Sequence, residues 1–566
     1  MTTVYRIFNQ CFSRVFVLAT VLVVAAIILL PSLLQAQSGV NAYKVAQISP
    51  SGATSTYASA LNKTSIVVGS FTVASGATEG FSLKKGVYTT LVVPGSNNFT
   101  RANGINDAGE IAGDFYTSSD NAYHGFLYKK GKFTQYDVQL GTVSTSIFSI
   151  NNDANFAGSI GSNGNPNQAF INIGGNVTEF YGSGTMSSFA YAINNSNDVV
   201  GDYYDSSNDP HCFYRSASGT VSLINFPNSY LTACYGLNDA GVIAGFYVDP
   251  TGVHAFLDAA GVFTELPFYF ATGINNAGSV LGIYTGPGAP NGVQYGLLAT
   301  PAKFASYSSI QMTGAQSTAI YGINDSKAMV GVYTSSGVTH GLLFAKKKIT
   351  NIDDPSAQAG TTTAYGINTA GNIVGGYTNG GGINVGFFYS GGTYADIAPA
   401  GSQYTNPAGI NDSGVIAGQY IDSSGNAHGF TYNGSTYTTI DVPSALWSGC
   451  WGINDAGDVT CQWGDQNGFI QSSLYNGSTF TSIDVPGAYV TAAHSINKTG
   501  EVVFLWQDPY GNSHGAMLKA GSYYVFDVPP SAGANTDADG INDSGEIVGH
   551  FTPTGSSNVE GWEGKL

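Results

Sequence analysis

The side chains able to do chemistry are few: eight histidines, five cysteines, five tryptophans and 36 acids among 566 residues. Six of the histidines, His124, His211, His254, His340, His428 and His514, recur at one corresponding point of a tandem unit. As metal ligands they would have to converge, yet one histidine per unit of a radial array stands too far from the next to share an ion. A hydrogen bond tying a loop to its own unit suits them better, and His494 and His550, which lie off this position, show no partner spacing. The loops Asp205-Ser206-Ser207-Asn208-Asp209 and Asp422-Ser423-Ser424-Gly425-Asn426 offer oxygen ligands but lack the full alternating pattern and terminal Glu of a Ca²⁺ loop, so they read as solvated turns.

Aromatic platforms stack on sugars, and all five tryptophans fall in the second half of the chain. Trp451, Trp463 and Trp506 occupy positions where other copies also carry aromatics, which marks them as architecture. Trp447 and Trp562 are free of that explanation, and Trp447, in a loop, is the candidate ligand-binding residue. Cys450 and Cys461 flank the turn Asn454 to Gly457; if Ile453 faces Asp458 across it, the two cysteines face each other as a possible disulfide. Cys212 and Cys234 have no such register relation, and no paired C-x-x-C spacing supports a zinc site. There is no G-x-S-x-G elbow and no P-loop. No catalytic residue, metal ligand or cofactor is assigned.

These residues are set out by a repeat. Gly104-Ile105-Asn106-Asp107-Ala108-Gly109 returns unchanged at 452–457, and with Ser for Ala at 409–414 and 540–545. Its asparagine anchors twelve copies: Asn62, Asn106, Asn151, Asn194, Asn238, Asn275, Asn324, Asn368, Asn411, Asn454, Asn497 and Asn542. Nine of the eleven spacings are 43 to 45 residues; the others are 37 and 49. Ile or Leu precedes every anchor, Gly follows seven residues later in ten copies, and an aromatic nine residues later in eleven. The asparagine shapes a tight a–b turn, and a 44-residue period with four short β-like runs suits one propeller blade.

The fold expectation is therefore all-β, twelve four-stranded blades. The repeats open on a d-like strand, residues 43–48, and finish on a c-like strand, residues 559–564, so the extra strand can complete a sheet that lacks one. Twelve blades exceed the usual four to eight per ring. Two six-bladed rings, residues 37–300 and 301–566, with 304–312 opening the second as its d strand, are the leading arrangement. A single twelve-bladed ring is the alternative.

The His-Gly-Phe and His-Ala-Phe segments at strand c (His254-Ala255-Phe256, His124-Gly125-Phe126, His428-Gly429-Phe430), together with Gly-Ile-Asn-Asp-x-Gly, resemble the bacterial extracellular repeat family named after its His-Ala-Phe motif. The resemblance runs from about residue 43 to the end, although half of the copies lack the histidine. It implies export and a repeat architecture, and supplies no activity or catalytic residue to carry over.

Residues 1–36 read as a signal peptide or N-terminal membrane anchor: Arg6 and Arg14, then an apolar run from Val15 to Leu34, then Gln35-Ala36-Gln37-Ser38. The formal charge of −17 becomes −19 after removal of the two arginines (17 bases against 36 acids), which disfavours nucleic acid and anionic lipid as partners. The functional expectation is an exported, non-enzymatic binding or scaffold module for a protein or glycan. Its rivals are a polysaccharide hydrolase or lyase, marked by acids that break the repeat and converge at one channel mouth, and a purely structural surface protein.

Overall fold

The computed structural model describes residues 42–138, 144–162, 165–180, 187–268, 270–284, 294–528, 535–553 and 556–566; the signal or anchor segment lies outside them. The described chain is all-β, and none of its helices is long and apolar enough to cross a membrane. Each unit is a four-stranded antiparallel meander. In the second unit the strands a to d run Thr100–Ile105, Ile111–Thr117, Ala122–Lys129 and Lys132–Tyr136.

The ends pair within their own halves. The first strand, Ala42–Ile48, completes the sheet ending in Tyr295–Ala302. The last strand, Glu560–Lys565, pairs with Ser306–Ile310 rather than with the first strand. The opposite edge of Ala42–Ile48 pairs with Ser522–Phe526, and around this seam Tyr43, Val45 and Phe268 pack with Val485, Trp506 and Val525.

All twelve anchor asparagines are buried. In each, Oδ1 accepts the N–H four residues on, which clamps the a–b turn. The residue three after the anchor has positive φ in every copy, and it is Gly in eight and Ser65, Ala154, Asn197 and Lys327 in the rest. Nδ2 donates to the anchor carbonyl of the next sheet. These bonds run Asn62 to Asn106, Asn151, Asn194, Asn238, Asn275 and back to Asn62. A separate circuit runs from Asn324 through Asn368, Asn411, Asn454, Asn497 and Asn542 back to Asn324. The distances lie between 2.9 and 3.4 Å.

The glycine seven residues after the anchor has a steric cause. A Cβ at Gly113 would lie 2.0 Å from the Arg101 carbonyl and 2.5 Å from the Phe126 ring, and Gly69 and Gly375 meet the same two neighbours in their own sheets. The fully buried aromatic of strand c fills the space that glycine leaves: Phe81, Phe126, Phe213, Phe387 and Phe430 each face such a glycine. The two copies without glycine exchange the sizes. Phe504 faces Ala516, and Cys461 faces Ser473. Trp562, which the repeat register alone left unexplained, is the strand-c aromatic of the last sheet, fully buried opposite Gly549.

The six strand-c histidines act as struts. Each packs on the aromatic nine residues after the anchor, five of them stacked, as Trp506–His514 is with ring centroids 4.5 Å apart, and Phe115–His124 tilted. In four of them Nδ1 meets the aspartate closing strand d (Asp137, Asp353, Asp441, Asp527). Several also reach an aspartate of the b–c loop, such as Asp205 or Asp422.

The size exchange predicts that Phe504→Gly destabilises by roughly 3–5 kcal/mol, as other large-to-small core changes do, and that adding Ala516→Phe recovers at least half of the loss. Chemical denaturation of the single and double variants checks this as a double-mutant cycle. Burial lowers the affinity of His514 for a proton, but the Asp527 and Asp508 carboxylates outweigh it and push its pKa to about 10. A raised folded pKa gives stability that is complete below the unfolded value near 6.5 and is lost as pH rises through about 10. Between pH 7 and 10.5 the melting temperature of the wild type should therefore fall several degrees further than that of His514→Gln, measured by calorimetry in parallel buffers.

Candidate functional site

Every inner strand carries a β-bulge, and in all twelve copies the bulged residue is the one three before the anchor. A bulge adds a residue without a cross-strand partner and re-aims its side chain. Neighbouring inner strands also approach closely: a Cβ at Gly409 would lie 2.5 Å from the Trp451 carbonyl, and one at Gly452 2.6 Å from that of His494. The bulged side chains are thereby turned toward the centre of their circuit.

In the second circuit these residues are Tyr321, Tyr365, Ala408, Trp451, His494 and Asp539, all half-buried, and all six line a cavity of about 210 Å³. The anchor turns form its mouth, where Asp325, Asp412, Asp455 and Asp543 outnumber Lys498. Tyr321 and Tyr365 stand with ring centroids 5.5 Å apart. The first circuit differs. Its depression, about 70 Å³, is lined by the anchor residues and their immediate neighbours only. Behind them Phe148, Tyr191 and Tyr235 stack on one another and on Phe189 and Phe246. Arg101 there is already paired with Asp114, and burial holds the Asp202 carboxyl well above its ordinary range.

Four ionisable groups gather at one side of the second circuit: His494 and Asp539 line the cavity, His550 contacts Asp539, and Asp537 contacts His550. Asp537 and Asp539 lie two residues apart on strand Asn535–Ile541, and His550 is the cross-strand partner of Asp537 on Glu546–Thr552. His550 Nδ1 is 2.7 Å from Asp539 Oδ2, and its Nε2 is 3.3 Å from Asp537 Oδ2. From the neighbouring sheet, His494 Nδ1 lies 3.1 Å from the Ala538 carbonyl and 3.3 Å from Asp539 Oδ1. Burial disfavours a charged His550, but the Asp539 and Asp537 carboxylates outweigh it and raise its pKa to about 9. Burial first, and then repulsion from Asp539, lift Asp537 to about 6 despite the two imidazoles. Burial, reinforced by the Asp539 charge, raises the Tyr321 phenol.

Sequence reasoning found no partners for His494 and His550; the structure brings both to Asp539. They were missed because the pairs span adjacent strands and adjacent sheets, at separations the repeat disguises. The available signal was a departure from the repeat: eight residues after the anchor the other second-half copies carry Val332, Gly376, Gln419, Gln462 and Leu505, and only the last carries His.

The other singled-out residues fall elsewhere. Trp447 is a half-buried loop residue whose indole covers Gly464; a Cβ there would lie 2.3 Å from Trp447 Nε1. Cys450 and Cys461 form a disulfide, as do Cys212 and Cys234, the latter joining neighbouring sheets. The turn register differs from the expected one: Ile453 faces Val459, not Asp458, and the bulge at Trp451 restores Cys450 opposite Cys461. Asp205 and Asp422 spend Oδ1 on N–H groups of their own turns and Oδ2 on His211 and His428.

No family model matches the chain, and no curated protein matches it. Among solved structures the chain is similar to the beta-propeller domain of the trilobed protease from Pyrococcus furiosus, at 10% identity and a TM-score of 0.26, covering 59% of this chain and 94% of that one. It is also similar to the BP39L lectin from Burkholderia pseudomallei (12%, 0.23, covering 58% and 94%) and to Trypanosoma rangeli sialidase (9%, 0.30, covering 92% and 93%). At TM-scores this low the likenesses carry no argument about substrate or activity.

Proposed function

We propose that the chain is an exported binding protein of two six-bladed propellers, 37–300 and 301–566, and that the axial cavity of the second takes a neutral or amino-bearing glycan. Two closed circuits of six anchor bonds support the blade count, and the two disulfides, with the N-terminal segment, support export. The strand-c motifs support membership of the His-Ala-Phe repeat family. The observation that carries the ligand reading is the cavity wall: Tyr321, Tyr365 and Trp451 supply aromatic faces, and Asp539 and His494 supply hydrogen-bonding groups beside them. The acidic mouth turns away nucleic acid and other anionic polymers.

A second reading, a glycan hydrolase, is favoured by one observation: Asp539, an acid that breaks the repeat, lines this cavity, with Asp537 beside it on the same strand. Their arrangement favours binding instead. Hydrolytic carboxylates flank a scissile bond from two sides, about 5 Å or more apart with the sugar between them. Asp537 and Asp539 share one strand and one imidazole, within 4.8 Å of each other and of His550.

Screening the purified chain on a glycan array, followed by calorimetric titration of the best oligosaccharide, tests this. Trp451→Ala should raise Kd about tenfold, the loss of one aromatic stack worth about 1.4 kcal/mol, while Trp447→Ala leaves Kd unchanged. Affinity that depends on Trp447 and not on Trp451 removes the cavity reading. Product formation that disappears in Asp539→Asn establishes the hydrolase.

A further inference from the structure

We infer that Asp537, Asp539 and His550, of which Asp539 lines the second cavity, form a binding site for a divalent metal ion of the zinc class. Each residue can present one ligand atom, and the three atoms lie within 4.8 Å of one another. The strand geometry brings them there. The bulge re-aims Asp539, whose Oδ2 meets His550 Nδ1, and the antiparallel register sets His550 directly across from Asp537.

The ligand types choose the ion. An imidazole with two carboxylates suits Zn²⁺ and its neighbours, whereas Ca²⁺ and Mg²⁺ favour all-oxygen sets. His494, bonded to the Ala538 carbonyl and to Asp539, holds that carboxylate in place, the supporting role such residues play around metal ligands. All three ligand side chains keep some exposure, between 10% and 22%, so the site is not sealed from solvent. Three protein ligands would leave coordination positions that hydroxyl groups of a bound molecule could complete.

The repeat supplies the contrast. The six strand-c histidines also meet aspartates, but each belongs to a strut reproduced from copy to copy, four of them on the aspartate that follows strand d. At the positions of Asp537, Asp539 and His550 the neighbouring copy carries Ala492, His494 and Leu505, so propeller architecture does not require this trio.

The inference concerns the same cavity as the glycan reading but is tested without any glycan, so either can fail alone. Untagged full-length protein is stripped with chelator, dialysed against Zn²⁺ alone and analysed for bound metal, with calorimetric titration in parallel. The expected result is one equivalent of Zn²⁺ per chain and a rise in melting temperature on adding Zn²⁺. Asp537→Asn, which keeps size and shape, and His550→Gln should each weaken binding at least a hundredfold and abolish the rise, with unchanged circular dichroism. His514→Gln, in a strut, should retain the full equivalent. Co²⁺ substitution should give visible d–d absorption that Asp537→Asn removes. No Zn²⁺ uptake at micromolar concentration, one equivalent retained in both site variants, or loss in His514→Gln overturns the site.

Discussion

One buried side-chain amide per sheet holds this protein together. An amide transferred from water without partners costs several kcal/mol, and the anchor asparagines avoid that cost only in one arrangement. Oδ1 must face the backbone of its own turn and Nδ2 the carbonyl of the next sheet. The first bond fixes the turn; the second fixes the distance and tilt between neighbours. Because the acceptor is itself the backbone of an anchor, every sheet depends on the one after it, and the chain of bonds is complete only when it returns to its start, as it does at Asn62 and Asn324.

With sheets so registered, the space between them is fixed, and side-chain volumes must be shared within it. The glycine seven after the anchor and the strand-c aromatic divide one volume between two strands, which is why their sizes can be exchanged at Phe504 and Ala516 without altering the repeat. The bulge three before the anchor works in the opposite sense. It takes one residue per sheet out of this packing and turns it to the axis, where no partner in its own core constrains it. Those residues vary from Tyr to Ala to Asp around the second circuit, and the ionisable cluster arises among them.

Much of this was legible in the sequence. The anchor positions, the strand boundaries and the surplus strand at 43–48 follow from periodicity, because a twelvefold repeat averages away local ambiguity. What was hidden depended on single events that a repeat conceals. Cys450 meets Cys461 through a bulge, not through the simple hairpin register from which their pairing was read. Trp562 looked unassigned because Glu560 replaces the histidine of the motif in Glu560-Gly561-Trp562, yet it fills the same slot as Phe126. His494 and Asp539 lie 45 residues apart in sequence, one full period, so only the closed stacking of sheets brings them within 3.3 Å.

The contrast between the two circuits follows from residue size at a few axial positions. Five residues before and eight after the anchor, the first circuit carries Tyr57, Phe189, Phe270 and Phe246, which crowd inward behind the bulged Phe148, Tyr191 and Tyr235. The same positions of the second circuit include Gly376, Gly449, Thr363 and Asn406, and Ala408 stands among the bulged residues. Backbones built to one plan thus give one axis filled by rings and one that stays open. The shared strand Ala42–Ile48 ties the two together through paired edges.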